Sequence, residues 1–219
     1  MPLPSKKSIF LYIWFITLLI APLTILRVTS PGSIDTGILI TNFFQRLTGL
    51  TVFILLFWQL ILGSFMPTLT DKLGGWIFKF HTAQGIYIYG LILIHPLTYL
   101  LLNIQKYGIF NPFNLFFPMA MDSNELIWIS FGRFAFILLN LSVITAYFRT
   151  KTFLRNKWRA LHVLNYVAFI AMAIHTYFVG TDSWEPPFSY FYWISISIVG
   201  FAILRRIYIK LNFFHKGLA

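Results

Sequence analysis

The stretch HTAQGIYIYGLILIHP, residues His81 to Pro96, carries an imidazole near each end of one of the most apolar segments of the chain. An ionisable side chain inside a bilayer is costly, so such residues usually face a bundle interior, a cavity or a bound group. His81 and His95 lie fourteen positions apart on what reads as a single membrane helix. Two imidazoles on one buried helix need a structural or functional reason.

The composition around this stretch is that of an integral membrane protein. Of the 219 residues, 58% are hydrophobic and only 11% are charged, whereas a soluble domain is about one quarter charged. The sequence contains no cysteine, which excludes disulfides, iron–sulfur clusters and C-x-x-C-H haem attachment. Any metal or haem would therefore be held by histidine or by weaker ligands.

Six segments are long and apolar enough to cross the hydrocarbon core as helices. They are residues 9–29, 47–66, 76–102, 126–148, 161–179 and 188–209. Turn and breaker residues separate them at Ser30-Pro31-Gly32, Pro67 with Gly74-Gly75, Asn111-Pro112 and Glu185-Pro186-Pro187. The sequence predicts an all-α fold, a six-transmembrane-helix bundle that forms a single domain over residues 1–219. This length leaves no room for a flavin or nicotinamide domain.

The distribution of basic residues predicts the orientation of the bundle. With the N-terminus inside, only Arg27, Arg46, Lys106 and Arg133 of the 17 lysines and arginines fall on the outer side. Cytoplasmic segments of membrane proteins carry such an excess of positive charge. Both termini are therefore expected in the cytoplasm of a bacterial or archaeal cell. The net charge of +11 is thereby explained without a nucleic-acid partner.

Four of the five histidines form two pairs at matched depths in the membrane. His81 and His95 lie on the third predicted span, and His162 and His175 lie on the fifth, which runs in the same direction. The two histidines of each span are roughly 20 Å apart along a helix, too far to share one metal ion. The pattern predicts an inner pair, His81 with His162, and an outer pair, His95 with His175. His215 lies in the polar tail and is assigned no role.

A haem fits these pairs better than the other groups considered. Two neutral imidazoles on opposite sides of a flat macrocycle complete a six-coordinate haem iron, and the apolar porphyrin suits a membrane bundle. Zinc would need further ligands, because each level offers two histidines and no obvious carboxylate or thiolate. A proton relay would need acidic residues, which the spans lack. A transporter or channel whose histidines only form interhelical hydrogen bonds stays open.

Helix geometry tests the pairing in part. Fourteen positions return His81 and His95 to within about 40° of the same helix face. Thirteen positions leave His162 and His175 about 140° apart on an ideal helix. The fifth span must therefore be distorted, or its histidines must reach their two sites from different sides.

The segments HTAQG…LILIHP and KWRALHVLNYVAFIAMAIHTYFVG resemble the ferric-reductase-like transmembrane domain. This family includes ferric reductases, NADPH oxidases and related bacterial membrane cytochromes b. Both family spacings, H-x13-H and H-x12-H, are present, and Arg46 in FFQRLTG resembles the arginine that members carry near their outer haem. The resemblance covers essentially the whole chain.

The resemblance implies two b-type haems, with His81, His162, His95 and His175 as axial iron ligands, and electron transfer outward across the bilayer. The electron donor would be a separate cytoplasmic flavoprotein, a small carrier or a quinol. The acceptor would be ferric iron, oxygen or an extracytoplasmic partner protein. The chain would then be a transmembrane oxidoreductase or an electron-transfer subunit of one, without catalytic side chains of its own.

A second interpretation also follows from the resemblance. The haem-binding membrane subunit of the periplasmic methionine sulfoxide reductase belongs to the same broad family and serves a separate reductase. That subunit usually lacks the inner histidine of the third span, whereas His81 is present in this sequence. The general di-haem interpretation is therefore preferred.

Basic side chains near the membrane faces are candidates for binding the anionic haem propionates. Arg46 and Arg133 lie on the outer side, against the orientation rule. Lys79 and Arg159 precede the inner histidines by two and three positions, although interfacial anchoring explains them equally well. Gly85 is a candidate for close approach of the macrocycle or for helix packing.

Overall fold

The computed structural model describes residues 4–29, 35–112, 123–155 and 157–216, with side chains described as far as residue 211. Within these ranges every regular element is helical and no strand occurs. The helices are α1 Lys6–Val28, α2 Thr36–Ser64, α3 Met66–Leu73, α4 Trp76–Tyr107, α5 Asn124–Tyr147, α6 Trp158–His162, α7 Leu164–Val179 and α8 Phe188–Lys216.

Five helical segments in the described part of the chain are long and apolar enough to cross a membrane: Lys6–Val28, Thr36–Ser64, Trp76–Tyr107, Asn124–Tyr147 and Trp158–Val179. The prediction of an integral, multi-pass, all-helical membrane protein is thereby confirmed. The sixth predicted span lies within helix α8. The count of six spans and the cytoplasmic position of the termini stay predictions. The predicted turn at Ser30-Pro31-Gly32 and the His215 side chain lie outside what the structure describes.

The second span begins earlier than its apolar run indicates, because a polar cap precedes it. The Asp35 carboxylate accepts hydrogen bonds from the main-chain N–H groups of Gly37 and Ile38. These are two of the donors that the first turn of a helix leaves unpaired. The helix therefore starts at Thr36 and not at residue 47.

The predicted break after the second span contains a short helix, α3. Pro67 lies in its first turn, where a missing N–H removes no helical hydrogen bond. Gly74, with φ of 94°, ends the helix in a conformation that favours glycine. The chain thus turns back into α4 within a few residues.

The fifth span is interrupted at Val163, directly after His162. There the Tyr166 N–H donates to the Val163 carbonyl at 3.0 Å, a contact of the tighter 3₁₀ type. Each residue wound at three rather than 3.6 residues per turn adds about 20° of rotation. This overwinding reduces the angular offset expected between His162 and His175. The distortion predicted from their thirteen-residue spacing is present at this turn.

Two antiparallel helix pairs dominate the packing: α4 lies along α2, and α6 and α7 lie along α5. The buried apolar core is centred on α2, where Phe53 packs its ring against Phe169 of α7 and Tyr192 of α8. Among the described helices, α4 and α7 do not form a packed pair. Each histidine-bearing helix therefore lies against a backing helix, α2 or α5, and not against the other.

The predicted orientation can be tested with single cysteines, because the natural sequence has none. Lys106→Cys, exposed at the end of α4, should react with a membrane-impermeant maleimide in intact cells. Asp71→Cys, exposed on α3, should react only after permeabilisation. The measurement is a gel shift of the labelled protein, with the cysteine-free chain as the blank. Labelling of Asp71→Cys in intact cells, with Lys106→Cys labelled only after permeabilisation, would contradict the predicted orientation.

Candidate functional site

The His95 ring is held by the backing helix α2. Its Nδ1 lies 3.1 Å from the main-chain oxygen of Gln45 and 3.2 Å from Thr48 Oγ1. A carbonyl oxygen only accepts, so the Nδ1–H of the neutral ring donates to it and Nε2 keeps its lone pair. The lone pair of His95 Nε2 is therefore available to bind a metal ion.

His175 on α7 is held in the same way by α5. Its Nδ1 lies 3.1 Å from the main-chain oxygen of Trp128, and its Nε2 is likewise left as the acceptor atom. A Cβ on Gly132 of α5 would lie 2.8 Å from Nδ1 of His175, and one on Gly49 of α2 would lie 2.9 Å from Cε1 of His95. Glycine at these two positions lets each ring pack directly against its backing helix.

A cavity is lined by both histidines of the outer pair. Its empty volume is about 1370 Å³ with its open side included. Arg46 and Arg133 also line it, so four of the predicted site residues are brought together in one place. The rest of the wall is largely apolar and includes Leu50, Val52, Ile92, Leu139 and Met172.

Arg46 forms a buried ion pair that the sequence did not reveal. Its Nε donates to Asp182 Oδ2 at 2.7 Å, and a second guanidinium N–H donates to Oδ1. A third donor reaches Thr29 Oγ1 at 3.0 Å. Asp182 is only 2% exposed, although its sequence position indicated nothing more than an outer-side acid. Arg133 is also buried, at 7% exposure.

The residues of the predicted inner pair are His81 near the start of α4 and His162 at the end of α6. Nδ1 of His162 lies 3.1 Å from the Ser142 hydroxyl of α5. Among the described residues, no three histidine, aspartate or glutamate side chains come together as a metal site.

His81 is held differently from the other three histidines. The Gln59 amide donates from Nε2 to the main-chain oxygen of His81 at 3.1 Å, and the same nitrogen lies 3.4 Å from the ring Nε2. Within the described part of the chain, Nδ1 of His81 is buried without a hydrogen-bond partner. A buried polar atom left unpaired costs free energy, which a bound group can recover.

The basic residues predicted beside the inner pair have exposed side chains. This holds for Lys79 on α4 and for Arg159 on α6. The Arg159 guanidinium lies 5.5 Å from the centre of the Trp158 ring, a cation–π contact. Gly85 has Gln59 as its neighbour, since an added Cβ would lie 3.0 Å from the amide nitrogen.

A repeated sequence signal accompanies the two histidines of α4. The segments QRLTG, residues 45–49, and QLILG, residues 59–63, recur on α2 with the same fourteen-residue spacing. The first contacts His95 and the second contacts His81. The sequence did not lead us to the α2 residues that contact His81 and His95, although this repeat indicates where they lie.

The close approach of His175 to α5 predicts the effect of adding one methyl group. Gly132→Ala would place Cβ within 2.8–2.9 Å of the His175 ring, and overpacking of this kind costs about 1–3 kcal/mol. Gly90→Ala, also within a span, meets no atom within 4 Å. The midpoint of thermal unfolding in detergent should fall for the first variant only. An equal fall for both would show that the ring contact is not the cause.

Comparison with known proteins gives one family match. The family is described as ferric reductase like transmembrane component, and the matched region is residues 48–173. This region contains His81, His95 and His162 and ends two residues before His175. No curated protein matches the chain, and no solved structure matches it. Because the match covers more than half of the 219 residues, the chain belongs to the family of ferric reductase like transmembrane components.

Proposed function

We propose that this chain carries electrons across the membrane through two b-type haems, one bound by His81 and His162 and the other by His95 and His175. The observation that carries the proposal is the outer cavity, which is lined by two histidines whose Nδ1–H groups are both held by main-chain carbonyls. Bis-histidine ligation of haem iron requires two such rings, each with a fixed orientation and an unprotonated Nε2, and each helix pair provides one.

The cavity around the outer pair suits a haem in its polar contacts as well as in its apolar wall. A metal-binding histidine that donates its other N–H to a carbonyl has a fixed ring orientation and a more basic ligand atom. The apolar wall suits the porphyrin, and guanidinium groups suit carboxylates such as the propionates. Arg46 and Arg133 supply these groups at the cavity, with the charge of Arg46 shared by Asp182.

The inner pair fits a haem for a different reason. His81 has a buried ring nitrogen without a partner, and the His162 ring is oriented by the Ser142 hydroxyl. Lys79 and Arg159, exposed at the same end of their helices, are the proposed cations for the propionates at this level.

The chemistry divides between the cofactor and the protein. When bound, each haem supplies a one-electron Fe(III)/Fe(II) couple. The histidines bind the iron, the backing helices fix the rings, and the apolar core around Phe53 excludes water from the region between the two levels. A cytoplasmic flavoprotein, a small carrier or a quinol would be the donor. Ferric iron, oxygen or an extracytoplasmic partner protein would be the acceptor.

Haem analysis of the purified chain tests this proposal. The full chain in detergent should show b-type oxidised and reduced spectra, with two haems per chain. A colourless protein would overturn the proposal and favour a transporter or channel.

The pairing predicts which haem each histidine variant loses. His95→Ala and His175→Ala should each remove the outer haem and keep the inner one, so the haem content should fall by half. His215→Ala is the matched control and should retain both. Loss of both haems from His95→Ala, with unchanged helical content by circular dichroism, would contradict the pairing.

A further inference from the structure

We propose that Gln59 is the positioning residue of His81, and that helix α1 is connected to the inner site through Gln84, which accepts from Trp14 and donates to Gln59. The proposal rests on the proposed function in taking His81 as a ligand. It assigns a role to three residues outside the histidine pairs: Gln59, Gln84 and Trp14.

The orientation of the Gln84 amide follows from its partners. The Trp14 indole N–H, which can only donate, reaches Gln84 Oε1 at 2.6 Å. The other end of the amide, Nε2, donates to the main-chain oxygen of Leu55 at 3.2 Å and to Gln59 Oε1 at 2.9 Å. Gln84 is only 3% exposed, so water does not compete for these bonds.

The orientation of Gln59 follows from that of Gln84. Because Oε1 of Gln59 accepts from Gln84, its Nε2 is the end that meets His81, at 3.1 Å from the main-chain oxygen and 3.4 Å from the ring Nε2. An amide nitrogen only donates, so Nε2 of Gln59 donates its hydrogen bond to the main-chain oxygen of His81 and lies beside the ring. The hydrogen bonds therefore fix the position of the His81 main chain relative to α2 and place the amide next to its ring.

His81 thus differs from the other three histidines in the ring nitrogen that its protein neighbour contacts. The rings of His95 and His175 are contacted at Nδ1 by main-chain carbonyls, and that of His162 is contacted at Nδ1 by the Ser142 hydroxyl and, at 3.4 Å, by the Asn165 amide. The His81 ring is instead contacted at Nε2, by the Gln59 amide. A side chain can be exchanged without altering the helix, so the inner site can be adjusted separately from the outer one.

The space for this contact is provided by Gly85. A Cβ at this position would lie 3.0 Å from the Gln59 amide nitrogen, so a larger residue would push the amide away from His81. Gln59 also belongs to the repeated QLILG segment, whose Gly63 lies beside the His81 ring. The amide, the glycine opposite it and the ring therefore form one local arrangement between α2 and α4.

A graded set of variants tests the proposal. Gln59→Met removes the contact itself, Gln84→Met removes the bond that orients it, and Trp14→Phe removes the most distant bond. The control is Trp58→Phe, which also removes an indole hydrogen bond to α1, in this case to Thr17 at 2.8 Å. The Thr17 hydroxyl donates in turn to the main-chain oxygen of Trp14 at 2.7 Å, so Trp58→Phe leaves the bonds from the Trp14 indole through Gln84 to Gln59 in place.

Two measurements on the full chain purified in detergent read out the position of His81. The first is the low-spin electron paramagnetic resonance signal of the inner haem, with the outer haem in the same sample as reference. The second is ring-¹⁵N nuclear magnetic resonance of the reduced protein, with the His81 signal assigned by its loss in His81→Ala. Both should shift most for Gln59→Met, less for Gln84→Met and least for Trp14→Phe. Trp58→Phe should leave both unchanged.

The outcomes separate this proposal from the proposed function. A wild-type chain without haem would overturn the electron-transfer proposal, and the ¹⁵N signal of His81 would still decide the role of Gln59. Unchanged His81 signals in both glutamine variants would overturn the positioning role. A shift in Trp58→Phe as large as in Gln59→Met would overturn it as well, because the effect would then be one of general packing.

Discussion

The partly buried imidazoles of this bundle need hydrogen-bond partners from the protein, and the packing of the helices around His95 and His175 follows from that constraint. The chain meets it by placing a backing helix behind each histidine-bearing helix. Gly49 and Gly132 allow the rings to approach closely enough for their Nδ1–H groups to reach a main-chain oxygen. Because α4 and α7 each lie against a backing helix, a cavity can form between the two pairs.

The two pairs are joined at the outer cavity by charge as well as by apolar contacts. The ion pair between Arg46 and Asp182 connects α2 with the segment that follows α7. A buried ion pair contributes little net stability relative to apolar packing, yet the loss of one partner is costly. Its main effect is therefore on geometry, since it holds the ends of both helix pairs beside the same cavity.

The sequence was sufficient to predict the helical membrane fold, and the spacing of its histidines drew attention to His95 and His175, which line one cavity. It could not predict the start of α2, because the Asp35 side chain, rather than hydropathy, determines where that helix begins. It also missed Asp182 and Gln84, whose partners lie far away along the chain. Contacts of this kind depend on which faces of two helices meet. The periodicity of a single helix carries no information about that.

The overwound turn at Val163 also affects the height of the histidines along the membrane normal. Their spacing on the fifth span is one residue shorter than on α4, a deficit of about 1.5 Å in helical rise. A 3₁₀ turn rises about 2.0 Å per residue rather than 1.5 Å, so three such residues recover about 1.5 Å. One local change in winding therefore shifts both the direction and the depth of His162 relative to His175 toward the values that His81 and His95 have on α4.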